Sequence, residues 1–446
     1  MTSLLLYAKA TGNHEVVGLK QAGYLCRHTL LPLARCSAAL QTKLVCEVAL
    51  YGRQIVELQR GRWTAISLMK DAAPWWRFCM NSIRNPADIA GGIKPNVREE
   101  AELGKQAALS EFLTLAKTLT KSLNGQHLFI SGHGGGWRGG AMDTMRRRRD
   151  LEFKALQIDV TASSDLTVTL STEIQTEIAS LTVKLDANSS LQPREMADAI
   201  SGCLSNGDRL GMVGFHSCLM ATIEVAYDLR NCATHLFASG DLVLANAIPY
   251  VPWLCDNSLM TATSAEEICK PLFTALELSE GPASFFLIDL SKVDIVKTAI
   301  DSFAIAIDAC LPSRVTRLRA LIRAVRNSPN IKVFGDEYSR TVDLGQFFTA
   351  LSNVSDAFPD VKLAAQAVAV ATTNAAHKDL KFVAKADEAL TPEVAGITIF
   401  FPATKAEAHD TYGFDQGWYE PNQPSSAAKF IDDSRWRQFL DWLWDE

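Results

Sequence analysis

HLFISGHGGGW, from His127 to Trp137, and LGMVGFHSCLMATIEVAYDL, from Leu210 to Leu229, decide the fold of this chain. Each opens with a short run that is apolar almost throughout and then breaks into glycine or small polar residues. A strand buried on both faces reads this way, because a sheet covered by helices leaves no solvent face for alternation. In such sheets the reactive groups lie beyond the carboxyl ends of the parallel strands. One stretch carries His133 at that place and the other carries Cys218.

Working outward, LLLY (Leu4 to Tyr7), VCEVALY (Val45 to Tyr51) and HLFASG (His235 to Gly240) repeat the same strand signal. Helical periodicity separates them over Val16 to Leu30, Glu99 to Leu123, Pro193 to Cys203 and Leu219 to Leu229. Pro193 suits a first helical turn, where its missing N–H costs nothing. Alternation predicts an α/β fold with a mostly parallel central sheet. Between Ala155 and Leu185 the pattern becomes Thr/Val/Ile alternation, which predicts a β-insertion over about 150–190. Beyond residue 290 the chain reads as mainly helical, with segments Ser291 to Leu311, Arg314 to Arg326 and Asp343 to Val354. One late strand, AGITIFFP (Ala395 to Pro402), follows. The tail carries Trp418, Trp436, Trp442 and Trp444 and reads as a closing helix, since a free tail is depleted in such residues. The expected organisation is a domain over 1–290 and a C-terminal region over 291–446 that packs on it.

Composition excludes several function classes. A chain of 446 residues with 48% hydrophobic content builds its core without disulfides, although it has ten cysteines. The net charge of −6 comes with no basic stripe for neutralising phosphates, which argues against nucleic acid. No apolar stretch approaches a membrane span of about 20 residues. MTSLLLYAKATGNHE lacks a basic n-region and a cleavage site, so a cytoplasmic location is expected. No CxxC pair and no HExxH motif occur, and no metal is expected.

Chemistry then rests on Cys218 and His133. A thiolate attacks a carbonyl, and an imidazole takes up and returns the proton. A helix expected to start near Leu219 would favour the thiolate through its amino end. Glycines 134 to 136 let backbone amides approach closely, so the N–H groups of Gly134 and Cys218 are candidates for an oxyanion hole. Taken singly, a Cys at a strand end is usually a packed small residue, and a glycine cluster is often only a turn. The run GHGGGWRGG also lacks the GK[ST] ending of a P-loop and the spacing of a dinucleotide fingerprint.

Together, HGGGW after an apolar strand and GFHSCLMATIEVAYDL resemble the clostripain family of cysteine peptidases, relatives of caspases and gingipains. The likeness extends to LLLYAKATGNHEVVGLKQAG (Leu4 to Gly23), ATHLFASGDLVLANAIPYVPWL (Ala233 to Leu254), TVDLGQFFTAL (Thr341 to Leu351) and AGITIFFP. The resemblance implies a caspase-like α/β/α sandwich, a dyad of His133 and Cys218, and peptide hydrolysis through a thioester acyl-enzyme. Family members that cut after Arg or Lys usually carry Asp two residues before the nucleophile, where this chain has His216. A second departure is Ser239-Gly240-Asp241, where Ser followed by acidic residues is usual. His216, Ser239, Gly240 and Asp241 are therefore the candidate substrate-binding residues, with His216 expected to disfavour basic P1 side chains and Asp241 the alternative source of one negative charge for them.

Relatives are often activated by self-cleavage between the catalytic His and Cys. The loop Arg146, Arg147, Arg148 and Arg149 lies there and is a candidate processing site. Some relatives need calcium, but no DxDxDG-type loop appears, and Asp143, Asp150 and Asp159 read as solvated surface residues. The resemblance implies a peptide or protein substrate, and bacterial peptidases acting on a dedicated partner such as a gasdermin-like protein are its precedent. A catalytically silent caspase-like binding module is the alternative, raised by position 216. A nucleotide-binding protein using the glycine run is a third, weaker reading.

Overall fold

The computed structural model describes residues 3–9, 43–49, 53–59, 62–67, 106–138, 140–142, 191–243, 247–254, 256–260, 262–277, 283–334, 340–383, 394–410, 419–422 and 427–445. The strands are β1 (Ser3–Lys9), β2 (Lys43–Ala49), β3 (Arg53–Gln59), β4 (Arg62–Ser67), β5 (His127–Ser131), β6 (His133–Gly134), β7 (Gly140–Met142), β8 (Met212–His216), β9 (His235–Ser239), β10 (Phe285–Asp289), β11 (Val333–Phe334), β12 (Thr341–Asp343), β13 (Ala376–Phe382) and β14 (Thr398–Phe400). The helices, numbered likewise, are α1 (Gln106–Thr120), α2 (Pro193–Cys203), α3 (Ile223–Leu229), α4 (Tyr250–Leu254), α5 (Ala265–Leu276) and α6 (Val293–Asp308). They continue with α7 (Pro312–Arg326), α8 (Leu344–Val354), α9 (Pro359–Ala375), α10 (Lys405–Asp410), α11 (Lys429–Asp433) and α12 (Trp436–Trp444).

Among the described residues one large sheet runs in the order β13-β10-β9-β8-β5-β1-β2-β3-β4. Its centre, β9-β8-β5-β1-β2, is parallel, and both flanks are antiparallel. The mostly parallel α/β sheet expected from the sequence is therefore present. Strands β10 and β13 on one side and β3 and β4 on the other add to it in antiparallel pairings. No helix among the described residues is long and apolar enough to cross a membrane.

Central strands are buried on both faces, which is why they lack alternation: all five residues of β8 are buried, as are four of five in β5, β9 and β10. One register row shows how the sheet is packed. Phe129, Gly214 and Phe237 are paired side by side across β5, β8 and β9. A Cβ on Gly214 would stand 2.6 Å from the Phe129 ring, so the missing side chain makes the room in which Phe129 and Phe237 meet, 5.7 Å apart. Phe237 also stacks on Phe285 at 5.0 Å, and Trp253 of α4 closes on Phe129 at 5.0 Å.

The C-terminal region is tied to this sheet by buried carboxylates. Glu224 of α3 accepts hydrogen bonds from the Phe400 N–H at 3.1 Å and the Tyr419 hydroxyl at 2.8 Å. Asp228 accepts from the Lys429 N–H at 2.9 Å. Asp343 caps α8 through the Gln346 N–H and also accepts from the N–H groups of Ala395 and Gly396. Burial pushes Asp228 up to about 7 and Asp343 up to about 6, against the amides that stabilise their charged forms. The closing helix read from the tryptophans is α12, where Trp436 is buried and donates from Nε1 to the Phe400 carbonyl at 2.8 Å.

Some expectations fall outside the described residues: the helix over Val16 to Leu30, the β-insertion about 150–190 and Trp418. The late strand is shorter than read. Its ladder is confined to β14, which pairs with β12.

Candidate active site

Three consecutive parallel strands, β5, β8 and β9, bring their carboxyl-terminal loops to one edge of the sheet. Ser131 of β5 pairs with His216 of β8, and the Gly132 N–H donates to the His216 carbonyl at 3.3 Å. His133 and Cys218 each follow these paired residues by two positions, so both backbones leave the sheet at the same level. Gly134 then lies against the Cys218 backbone. A Cβ on Gly134 would stand 2.2 Å from the Cys218 carbonyl oxygen and 2.9 Å from both the Cys218 nitrogen and Ser217 Cβ. Only glycine allows this approach. The dyad candidates are thereby neighbours along the backbone, with His133 in β6 pairing Met142 of β7.

Tight turns hold both loops. Gly136 has φ +62, and a Cβ there would stand 2.9 Å from the Leu219 carbonyl. Leu219, directly after the thiol, has φ +65, a left-handed conformation that costs a non-glycine residue about 1 kcal/mol or more. Trp137 is fully buried, meeting Phe400 at 5.2 Å and Tyr419 at 4.9 Å edge to face. The glycine loop is thus anchored by one large side chain in the C-terminal region.

The helix expected from Leu219 begins four residues later. Residues 219 to 222 are held in ladder contacts: the Leu219 N–H donates to the Asp241 carbonyl at 3.1 Å and the Ala221 N–H to the Ser239 carbonyl at 2.9 Å. The Thr398 N–H donates to the Ala221 carbonyl at 2.8 Å. Thr222 then caps α3, accepting from the Val225 N–H. The amino end of α3 is therefore not at Cys218, and the expected helix-driven lowering of its pKa is corrected. Burial instead pushes the thiol up to about 11, against hydrogen bonds from the N–H groups of Val243, Cys218 and Gly134, with Asp241 adding to the rise. The Val243 N–H reaches Sγ at 3.2 Å, and the Val243 carbonyl lies 3.7 Å from it. The segment after β9 is thus a strap across the nucleophile.

The specificity candidates are committed to neighbours. His216 is buried and its Nδ1 lies 3.2 Å from the Tyr250 hydroxyl. Ser239 is fully buried, its hydroxyl donating to the Asp241 carbonyl and accepting from the Asp241 N–H. Gly240 packs against Thr398, Phe286 and Phe334. The Asp241 carboxylate pairs with Lys332 at 3.4 Å and accepts from the Leu242 N–H. Sequence reasoning did not pick out Tyr250, Lys332 or Val243, which reach the site only through tertiary packing. The loop Arg146 to Arg149 and the acidic residues Asp143, Asp150 and Asp159 lie outside the described residues.

Comparison with known proteins fits this architecture. The clostripain family model matches residues 182–444. A secreted C11 cysteine protease from Bacteroides thetaiotaomicron, "iotapain", is similar in fold, with 13% identity, a TM-score of 0.52, and coverage of 90% of this chain and 93% of the other. An inactive zymogen C11 protease from Parabacteroides distasonis is also similar, with 13% identity, a TM-score of 0.50, and coverage of 100% and 98%. At this identity the likeness is one of fold. No curated protein sequence matches.

Proposed function

From the premise that the chain belongs to the clostripain family, a family of cysteine peptidases, we propose that Cys218 is its nucleophile and His133 its general acid and base. The observation that carries this is the seat of Gly134, the residue after His133, on the Cys218 backbone, an approach that only glycine permits.

The chemistry follows from that juxtaposition. His133 takes the thiol proton, and the sulfur adds to the scissile carbonyl to form a tetrahedral oxyanion. The N–H groups of Gly134 and Cys218, which already turn toward the sulfur, stabilise the negative oxygen. Collapse breaks the C–N bond, and His133 returns its proton to the leaving amine. Water deprotonated by His133 then attacks the thioester, releasing the carboxylic acid and regenerating the thiol.

The conformation described is a resting one by this reading. A thiol pushed up to about 11 beneath Val243 supplies almost no thiolate at neutral pH. An incoming extended peptide takes the place of the strap, offering its own backbone to the loop ends, and the exposed thiol becomes ionisable beside His133. With Asp241 held by Lys332 and His216 by Tyr250, the pocket supplies no unpaired carboxylate from these two positions, and P1 residues other than Arg and Lys are favoured. Narrow processing of a protein partner inside the cell, a gasdermin-like protein among the candidates, extends this reading on the resemblance alone.

The test is cleavage of a P1-diverse fluorogenic peptide library by wild type and Cys218→Ala, with the intact mass of each chain. Activity present only in wild type supports the assignment. Equal activity in both places the nucleophile elsewhere. Absence of activity in wild type, also after trypsin nicks the Arg146 to Arg149 loop, favours a silent binding module.

A further inference from the structure

The end of the sheet remote from Cys218 carries a second cluster of chemistry-bearing side chains. His235 opens β9, Glu266 is in the first turn of α5 and His377 is the second residue of β13. One donor atom from each lies within 4.8 Å of the other two. Along β9, His235 is separated from Ser239, beside the nucleophile loop, by roughly 13 Å of strand.

The geometry inside the cluster is specific. His235 Nε2 lies 3.1 Å from Glu266 Oε1, and His377 Nε2 lies 4.0 Å from the same oxygen. The tautomer of His235 follows from its neighbours. The Thr234 hydroxyl donates its only proton to the Gly211 carbonyl, so toward His235 Nδ1, 3.0 Å away, it acts as acceptor. Nδ1 therefore carries the ring hydrogen, and in the neutral imidazole Nε2 turns a lone pair on the Glu266 carboxylate. Two acceptors at that distance repel one another unless positive charge lies between them.

His377 Nε2 is buried and has no hydrogen-bond partner among the described residues.

We propose that His235, Glu266 and His377 bind a divalent transition-metal cation of the zinc class, which fastens the edge strand β13 to β9 and α5. Two imidazoles and one carboxylate are donors that zinc accepts and that calcium does not favour. A tetrahedral ion with donors at about 2.0–2.1 Å sets them roughly 3.3 Å apart, so the pair at 3.1 Å is ready, and His377 closes by about 0.7 Å on Glu266 and by at most about 1.5 Å on His235. The Thr234–Gly211 relay is the outer partner that fixes ring orientation in such sites. The fourth position is left to water.

The experiment uses the full-length chain, stripped with chelator, in a Cys218→Ala background that removes the competing thiol. Zinc is titrated by calorimetry, and retained metal is counted after gel filtration. One equivalent is expected, with affinity weakened at least tenfold by His377→Gln and by Glu266→Gln. Cobalt is expected to give visible d–d bands without thiolate charge transfer. Lack of stoichiometric binding overturns the proposal, and so does equal affinity in both variants. Should His377→Gln fail to fold by circular dichroism, Glu266→Gln, a half-buried position on a helix turn, gives the same readout. Metal bound by wild type but lost in Cys218→Ala alone assigns it to the nucleophile and overturns the site. Peptidase activity does not enter any of these outcomes.

Discussion

Replacing Gly134 by Ala tests the juxtaposition on which the catalytic assignment rests. The added Cβ would stand 2.2 Å from the Cys218 carbonyl oxygen, and two more contacts fall at 2.9 Å. An ordinary carbon–oxygen approach is about 3.3 Å or more, so the glycine loop must retreat by roughly 1 Å. The obstacle is backbone, with no flexible side-chain end to swing aside. A displacement of that size costs on the order of 100-fold in rate, and overpacking costs about 1–3 kcal/mol of stability. The expected outcome is kcat/KM on a peptide substrate reduced about 100-fold, with a lowered Tm but native circular dichroism. Gly202→Ala is the control, because nothing lies within 4 Å of its Cβ in α2, and its activity should match wild type. Gly134→Ala retaining activity within about threefold of wild type would refute the reasoning, since the loop would then not position His133.

Three further outcomes follow from the same structure. With the thiol pushed to about 11 from an ordinary value of 9.0, iodoacetamide should alkylate Cys218 about 100-fold more slowly than a free thiol at neutral pH, and Val243→Pro, which removes an N–H that favours the thiolate, should slow it further; faster-than-free alkylation in wild type speaks against the strap. Asp228 is raised from 3.8 to about 7, so the folded state binds the extra proton, and its contribution to stability is present below pH 4 and lost as pH rises toward 7. The Tm of wild type should therefore fall relative to Asp228→Asn between pH 4 and 8, by the equivalent of at most about 4 kcal/mol, and parallel profiles would remove the argument. Lys332→Ala removes the ammonium beside the Asp241 carboxylate and should raise cleavage after Arg in the P1 library; an unchanged profile means that this carboxylate does not face the pocket.

How much was legible beforehand depended on where the information lies in the chain. The positions of His133 and Cys218 followed from strand ends, because runs buried on both faces are apolar throughout and stop sharply. The start of α3 did not, since nothing in a leucine announces the left-handed conformation of Leu219, which is imposed by ladder contacts to residues far along the chain. β13 reads AHKDLKF, too polar for a core strand, because it is the sheet edge and half of it faces solvent. β3 and β4 carry alternation on either side of Arg60 and Gly61, a hairpin-like pattern that the sequence does hold. The pairings of His216 with Tyr250 and of Asp241 with Lys332 join residues from separate elements, and periodicity holds no record of them. The cluster of His235, Glu266 and His377 escaped for the same reason, its members being scattered over two strands and a helix with no contiguous motif.

The burial of Trp137 has a consequence for how such a chain can change over evolutionary time. The glycine loop is held by Phe400 and Tyr419, residues encoded far downstream of it. A recombination event that exchanged the C-terminal third for an unrelated sequence would leave the loop of His133 without its anchor. The two portions are therefore expected to be inherited together, and substitutions at 137, 400 and 419 to be correlated across descendants.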